Sequence, residues 1–191
     1  MDSKYFIGYH ATTSDRVNSI LTNNFVPTRR KASWLGWGSY FFFEAPNHAA
    51  NWALEAAARR SRSLGYTVEG VIFKVAIDLA NAINLLDGDY WPLLKTAYTN
   101  VPADIRQVGP GFRYLGGDIP PEVGWNYRDC MAVNAFVEAL EQEGIPCDVI
   151  VAAFAEGEPL DPTSWLFDRS SVIISVRNSS AVSIMDQYSV P

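Results

Sequence analysis

Few residues in this chain could do chemistry. Its two cysteines, Cys130 and Cys147, stand outside any Cys-x-x-Cys or metal-ligand spacing, and only two histidines, His10 and His48, accompany them. That set falls short of the clusters zinc requires, so buried free thiols and no metal are expected. Two carboxylates lie close together in Phe154-Ala155-Glu156-Gly157-Glu158-Pro159. In an extended chain Glu156 and Glu158 project to the same side, although the segment reads equally well as a polar turn closing a hairpin. Basic residues gather in Arg29, Arg30 and Lys31 and again in Arg59, Arg60 and Arg62. Each group is either a solvated face or a local phosphate-binding rim. Three further segments place a polar or aromatic side chain among small neighbours: Tyr9-His10-Ala11-Thr12, Trp34-Leu35-Gly36-Trp37-Gly38-Ser39-Tyr40-Phe41 and Ala49-Ala50-Asn51-Trp52.

The elements that must position these segments follow from pattern. Tyr5–His10 is short and rich in β-formers, which predicts a strand ending at the first segment. Ser14 and Asp15 supply cap and first-turn chemistry for a helix carrying Val17, Ile20, Leu21 and Phe25 and ending near Asn23 and Asn24. Tyr40 to Phe43 is an aromatic strand. Pro46 opens an alanine-rich helix at the first position, where its missing N–H costs nothing. Glu69–Leu79 alternates Val71, Phe73, Val75 and Ile77 on one face, the pattern of a strand. Asn81–Asn100 reads as a helix interrupted at Pro92, and Val101–Asn126 as a long proline- and glycine-rich excursion. Asp129–Glu143 is an amphipathic helix stopped by Gly144. Asp148–Phe154, Ser171–Val176 and Val182–Ile184 are the remaining β-runs. Strands and helices mix without a regular βαβ repeat, so the expected class is α+β. Neither a Gly-x-Gly-x-x-Gly after a strand nor a Walker phosphate loop is present.

Composition sets limits. With 48% hydrophobic and 19% charged residues the chain is globular, and at 191 residues it is expected to form a single domain spanning 1–191. A net charge of −6 argues against a coat for nucleic acid. No apolar run is long enough to span a bilayer, no secretory signal opens the chain, and a cytoplasmic location is expected.

Taken in order, the three small-residue segments resemble the His-Tyr-Glu branch of the ADP-ribosyltransferase superfamily, which includes the poly-ADP-ribose polymerases and diphtheria-type toxins. That branch carries His-Gly-Ser/Thr after its first strand, Gly-x-Tyr-Phe in its second, and a further aromatic on the next helix. The chain also resembles bacterial proteins with Trp-Leu-Gly-x-Gly-x-Tyr-Phe and a later Phe-x-Glu-Gly. The resemblance implies a split mixed β-sheet with flanking helices, and NAD as co-substrate. It implies that His10 hydrogen-bonds the adenosine ribose, that the backbone of Ala11, followed by Thr12, reaches the nicotinamide amide, and that Tyr40 and Trp52 hold the nicotinamide ring. Aromatic faces suit a flat leaving ring, and the oxocarbenium-like centre left behind needs a negative charge beside it. Gly36 and Gly38 would let the chain turn tightly beside the ligand.

The chain departs from that pattern in two places. Ala11 replaces the usual glycine. The family's catalytic glutamate belongs on a late strand matched here by Ser171–Asn178, where the aligned residue is Ile173, so Glu156 is the substitute candidate; Asp129 and Asn134 are remoter ones. The implied activity is mono-ADP-ribosyl transfer to a protein or nucleic-acid acceptor, in a toxin, effector or defence protein with an antitoxin as a partner to look for. The alternatives are a catalytically inactive binding module of the same fold, and an RNA 2′-phosphotransferase-like enzyme using Arg29, Arg30 and Arg177 on phosphate.

Overall fold

The computed structural model describes residues 5–29, 33–101 and 126–191. Arg30, Lys31 and nearly all of the excursion expected at Val101–Asn126 lie outside the described residues. Seven strands, β1 (Tyr5–Thr13), β2 (Ser39–Phe43), β3 (Gly70–Asp78), β4 (Ala82–Asn84), β5 (Val149–Phe154), β6 (Ser171–Val176) and β7 (Val182–Val190), accompany four helices, α1 (Val17–Asn23), α2 (Pro46–Leu64), α3 (Trp91–Asn100) and α4 (Tyr127–Gln142). The sheet order is β4-β5-β6-β2-β1-β3-β7. Only the β4–β5 pair is parallel, so the sheet is mixed and the class is α+β.

Hydrogen-bonded ladders join all seven strands, which corrects the expectation of a split sheet. A weak seam nonetheless divides it. β1 meets β3 along its whole length, yet it meets β2 only at Gly8–Phe43 and Tyr9–Phe42. Past Tyr9 the two strands part. The chain after α1 enters the opening from one side, where Thr28 bridges Gly38 and Phe25 packs edge-on against His10, Phe41 and Phe73.

Alternation assigns the faces. Phe41, Val71, Phe73, Val75, Ile77, Ile174 and Val176 form one core, closed by Val17, Ile20 and Phe25. On the opposite face α2 lies over β1 and β3, burying Ala49, Ala53 and Ala57 at a four-residue spacing. The contact is close. A methyl group added at Gly70 would sit 3.0 Å from the Ala53 backbone. On that same face α4 packs Val133, Phe136, Val137 and Leu140 with Ile150 and Ile173. α2 and α4 therefore cover the sheet side by side and leave β2 less covered between them.

Two elements differ from the pattern reading. Asn81–Asn100 is not one interrupted helix: Ala82–Asn84 pairs with β5, and α3 begins only at Trp91, with Pro92 in its first turn. β7 runs six residues past Ile184 because β3 offers it a full-length partner. Both cysteines are buried, and burial pushes the Cys147 thiol up to about 12. Among the described residues, no helix is long and apolar enough to cross a membrane.

Candidate functional site

The parting of β1 and β2 opens a cavity of about 780 Å³, within the usual range for small-ligand sites. His10, Ala11, Thr12, Tyr40, Trp52 and Ile173 all line it. Six positions drawn from β1, β2, α2 and β6 thus converge, although they span most of the sequence.

His10 sits where the ladder fails. Its Nδ1 lies 2.8 Å from the Tyr40 carbonyl oxygen, so the ring nitrogen donates and takes over the bond that β1 no longer makes to β2. Phe25 and Phe41 pack against the ring at centroid distances of 5.0 and 5.4 Å. Burial holds the His10 pKa below its ordinary 6.5; the Tyr40 carbonyl opposes that shift, and the positive charge of Arg16 reinforces it. At neutral pH the ring is therefore uncharged, with its proton on Nδ1 and its Nε2 lone pair free to accept a hydrogen bond from a hydroxyl. A pH dependence follows. A ligand whose hydroxyl donates to Nε2 should bind with flat affinity above pH 6.5 and more weakly as His10 protonates at lower pH and loses its acceptor. Calorimetric titration across that range checks it: His10→Asn should flatten the profile, and affinity that rises on acidification would contradict an acceptor role.

Tyr40 and Phe42 alternate onto the α2 side of β2, with Ser175 and Ile173 as their partners on β6. The Tyr40 hydroxyl donates to the Gly36 carbonyl at 2.7 Å and accepts from the Leu35 N–H at 2.8 Å. Burial raises its pKa to about 12. The hydroxyl is thus spent on the loop, and only the ring is offered to the cavity. Trp52 is 39% exposed. Its indole faces Phe42 at 6.4 Å and the Arg59 guanidinium at 5.9 Å. Tyr40, Phe42 and Trp52, with Ile173 beside Phe42, thus line an aromatic slot in the cavity. Phe42 was hidden in the sequence inside the Phe41–Phe43 run, whose members look alike until β-alternation separates them.

Gly36 and Gly38 also pack against the rest of the chain. Gly36 has φ +69°, and a Cβ there would stand 2.5 Å from Asn134 Oδ1; at Gly38, which lines the cavity, it would stand 2.1 Å from Ser175 Oγ. They let the loop press against α4 and β6. Asn134 Oδ1 accepts from the Trp37 N–H at 2.9 Å and from Arg177 at 3.0 Å, while Arg177 also donates to the Trp37 carbonyl at 3.1 Å. Asn134 and Arg177 are therefore clamps on the loop. Of the three arginines named for the phosphotransferase alternative, Arg177 is thus engaged with the loop, and Arg30 lies outside the described residues. Arg29 lies over the Trp37 ring at 4.8 Å. Asp129 accepts from the Tyr98 hydroxyl and ties α4 to α3. His48 is half-buried and stacks on Phe42.

Glu156 is not brought to the cavity. The β5–β6 ladder continues as a hairpin, with the Arg169 N–H donating to the Glu156 carbonyl and the Asp168 N–H to that of Glu158. Glu156 shares the cavity-side face of β5 with Ala152 and Phe154, and Phe154 packs against Trp34 on the cavity wall. Ala152 is the residue level with Ile173. Four residues of strand separate Glu156 from that level, about 13 Å at the usual rise. Burial raises the Glu156 pKa and Arg169 lowers it. Among the described residues, no carboxylate lines the cavity.

Compared with known proteins, the chain matches no protein-family model and no curated protein. The functional reading therefore rests on the residues above. Among the other residues lining the cavity, Arg16 joins Arg59 and Arg60.

Proposed function

We propose that the protein binds NAD in this cavity as an ADP-ribosyltransferase-type domain and transfers ADP-ribose to a macromolecular acceptor, protein or nucleic acid. The convergence of His10, Ala11, Thr12, Tyr40 and Trp52 on one cavity supports this reading most directly. An aromatic slot suits the nicotinamide ring, and a neutral imidazole with a free lone pair suits a ribose hydroxyl. Transfer also needs negative charge beside the oxocarbenium-like centre. In this reading Glu156 supplies it, through a shift of the β5–β6 hairpin that carries it toward the wall.

One observation favours a second reading, a module that binds NAD without consuming it. The slot position at Ile173 is aliphatic and 4% exposed, and an aliphatic side chain stabilises no cation. Incubation with NAD labelled in the adenylate half, followed by separation of protein and nucleic acid, decides between them. Label on either macromolecule supports transfer, and Glu156→Gln should then lower turnover by about 100-fold or more with NAD affinity unchanged. Full turnover in Glu156→Gln removes Glu156 from the mechanism. Bound NAD recovered intact with every acceptor supports the binding module.

A further inference from the structure

The chain carries a net charge of −6, yet this cavity is lined by three arginines and, among the described residues, by no carboxylate. The positive charge is also placed with respect to the aromatic slot. Trp52, Ala56, Arg59, Arg60 and Ser63 all line the cavity, and their spacing of four, three, one and three residues is one stripe of α2. The helical rise sets Arg59 and Arg60 about 10–12 Å along the axis from Trp52. Arg62, the third member of the same sequence cluster, is absent from the stripe and donates to the Ala58 carbonyl instead.

The three guanidiniums differ in how they are held. Arg60 gives its Nε and one terminal nitrogen to Asp15 at 2.9 Å, and the Thr13 hydroxyl fixes the other oxygen of Asp15. Asp15 thus pairs with Arg60 and orients it. Arg59 lies 5.9 Å from the Trp52 ring centroid and makes an exposed pair with Glu55 at 3.5 Å, which is easily exchanged for a better anion. Arg16, in the turn after β1, has no ion-pair partner among the described residues, and its charge acts on His10. Planar guanidiniums lining one cavity match the oxygens of a phosphate group.

We infer that Arg16, Arg59 and Arg60 form a phosphate subsite that takes the pyrophosphate of a dinucleotide whose ring lies against Trp52. This rests on the NAD reading for the identity of the ring but not for the anion. The arginines share one cavity with the aromatic side chains Tyr40 and Trp52, which favours a dinucleotide carrying ring and phosphate on one molecule over a nucleic-acid backbone laid across the surface.

Inorganic pyrophosphate, ADP-ribose and nicotinamide, each titrated into the full chain, test the parts separately. In the Arg16→Gln/Arg59→Gln variant, affinity for pyrophosphate and ADP-ribose should fall at least about tenfold and lose most of its salt dependence. Nicotinamide, which is uncharged, should bind as before and report that the variant is folded. Arg62→Gln should behave as wild type. Pyrophosphate that binds equally to the variant and to wild type, or to neither, overturns the subsite. A single-stranded oligonucleotide that binds through these arginines more tightly than ADP-ribose overturns its assignment to a dinucleotide. Rim-dependent pyrophosphate binding by a protein indifferent to NAD and nicotinamide would uphold the subsite while refuting the NAD reading.

Discussion

Replacing Trp52 with alanine should weaken NAD binding about 30-fold while leaving the protein folded. The indole lines the slot and is 39% exposed, so its truncation removes ligand contact and little core. Loss of a stacked ring face and the apolar area it covers is worth about 2 kcal/mol, which converts to that factor. Arg59 lies over the same ring, so the variant also releases a guanidinium into the cavity, and part of the loss could be offset for the phosphate half of the ligand. Comparing NAD with nicotinamide separates the two effects: nicotinamide should lose the full factor. Equal NAD affinity in Trp52→Ala and wild type, by calorimetry, would remove Trp52 from the site. Tyr40→Ala is a less clean probe, because its hydroxyl holds Leu35 and Gly36 in place.

The second large effect concerns folding rather than the ligand. Gly38→Ala puts a methyl group 2.1 Å from Ser175 Oγ and 3.1 Å from the Val176 carbonyl oxygen. The hydroxyl is fully buried, and the carbonyl belongs to the β6 backbone, so neither yields easily. Overpacking of this kind costs about 3 kcal/mol, and the melting temperature of a chain this size should drop by about 6–12 °C. Ser175→Ala in the same chain removes the nearer clash and should recover part of the loss, a coupling that a double-mutant cycle reads directly. Unchanged melting in Gly38→Ala would mean that the loop does not press on β6 as described.

How much of this was legible in the sequence depends on how local the cause was. β3 could be read from alternating Val71, Phe73, Val75 and Ile77, because one buried face dictates a period of two. α2 could be read from Pro46 and its alanines. β4 could not: three residues carry no period, and only the neighbouring β5 makes Ile83 a strand residue. β7 was legible only at its start, since Asp186 and Gln187 are poor strand formers held by pairing with β3.

The site divides in the same way. His10, Tyr40 and Trp52 were found from ordered motifs, and the structure brings them to one cavity. The mutual contacts of Gly36, Gly38, Asn134 and Arg177 could not be read from the sequence. Each is explained by a side chain or backbone far along the chain, and nothing local announces the clamp. Glu156 does not line the cavity, because the hairpin that the sequence also allowed continues the ladder beyond β5. Arg16 gave no sign of its role, because a single arginine after a strand is ordinary until α2 places two more beside it.

Titration of NAD into the wild-type chain, followed by calorimetry and by thermal melting, tests the central claim most directly. One NAD should bind per chain and raise stability by about 2.7 kcal/mol when present at a hundredfold excess over its Kd. Neither heat nor a shift in melting at millimolar NAD would contradict the claim that this cavity is an NAD site.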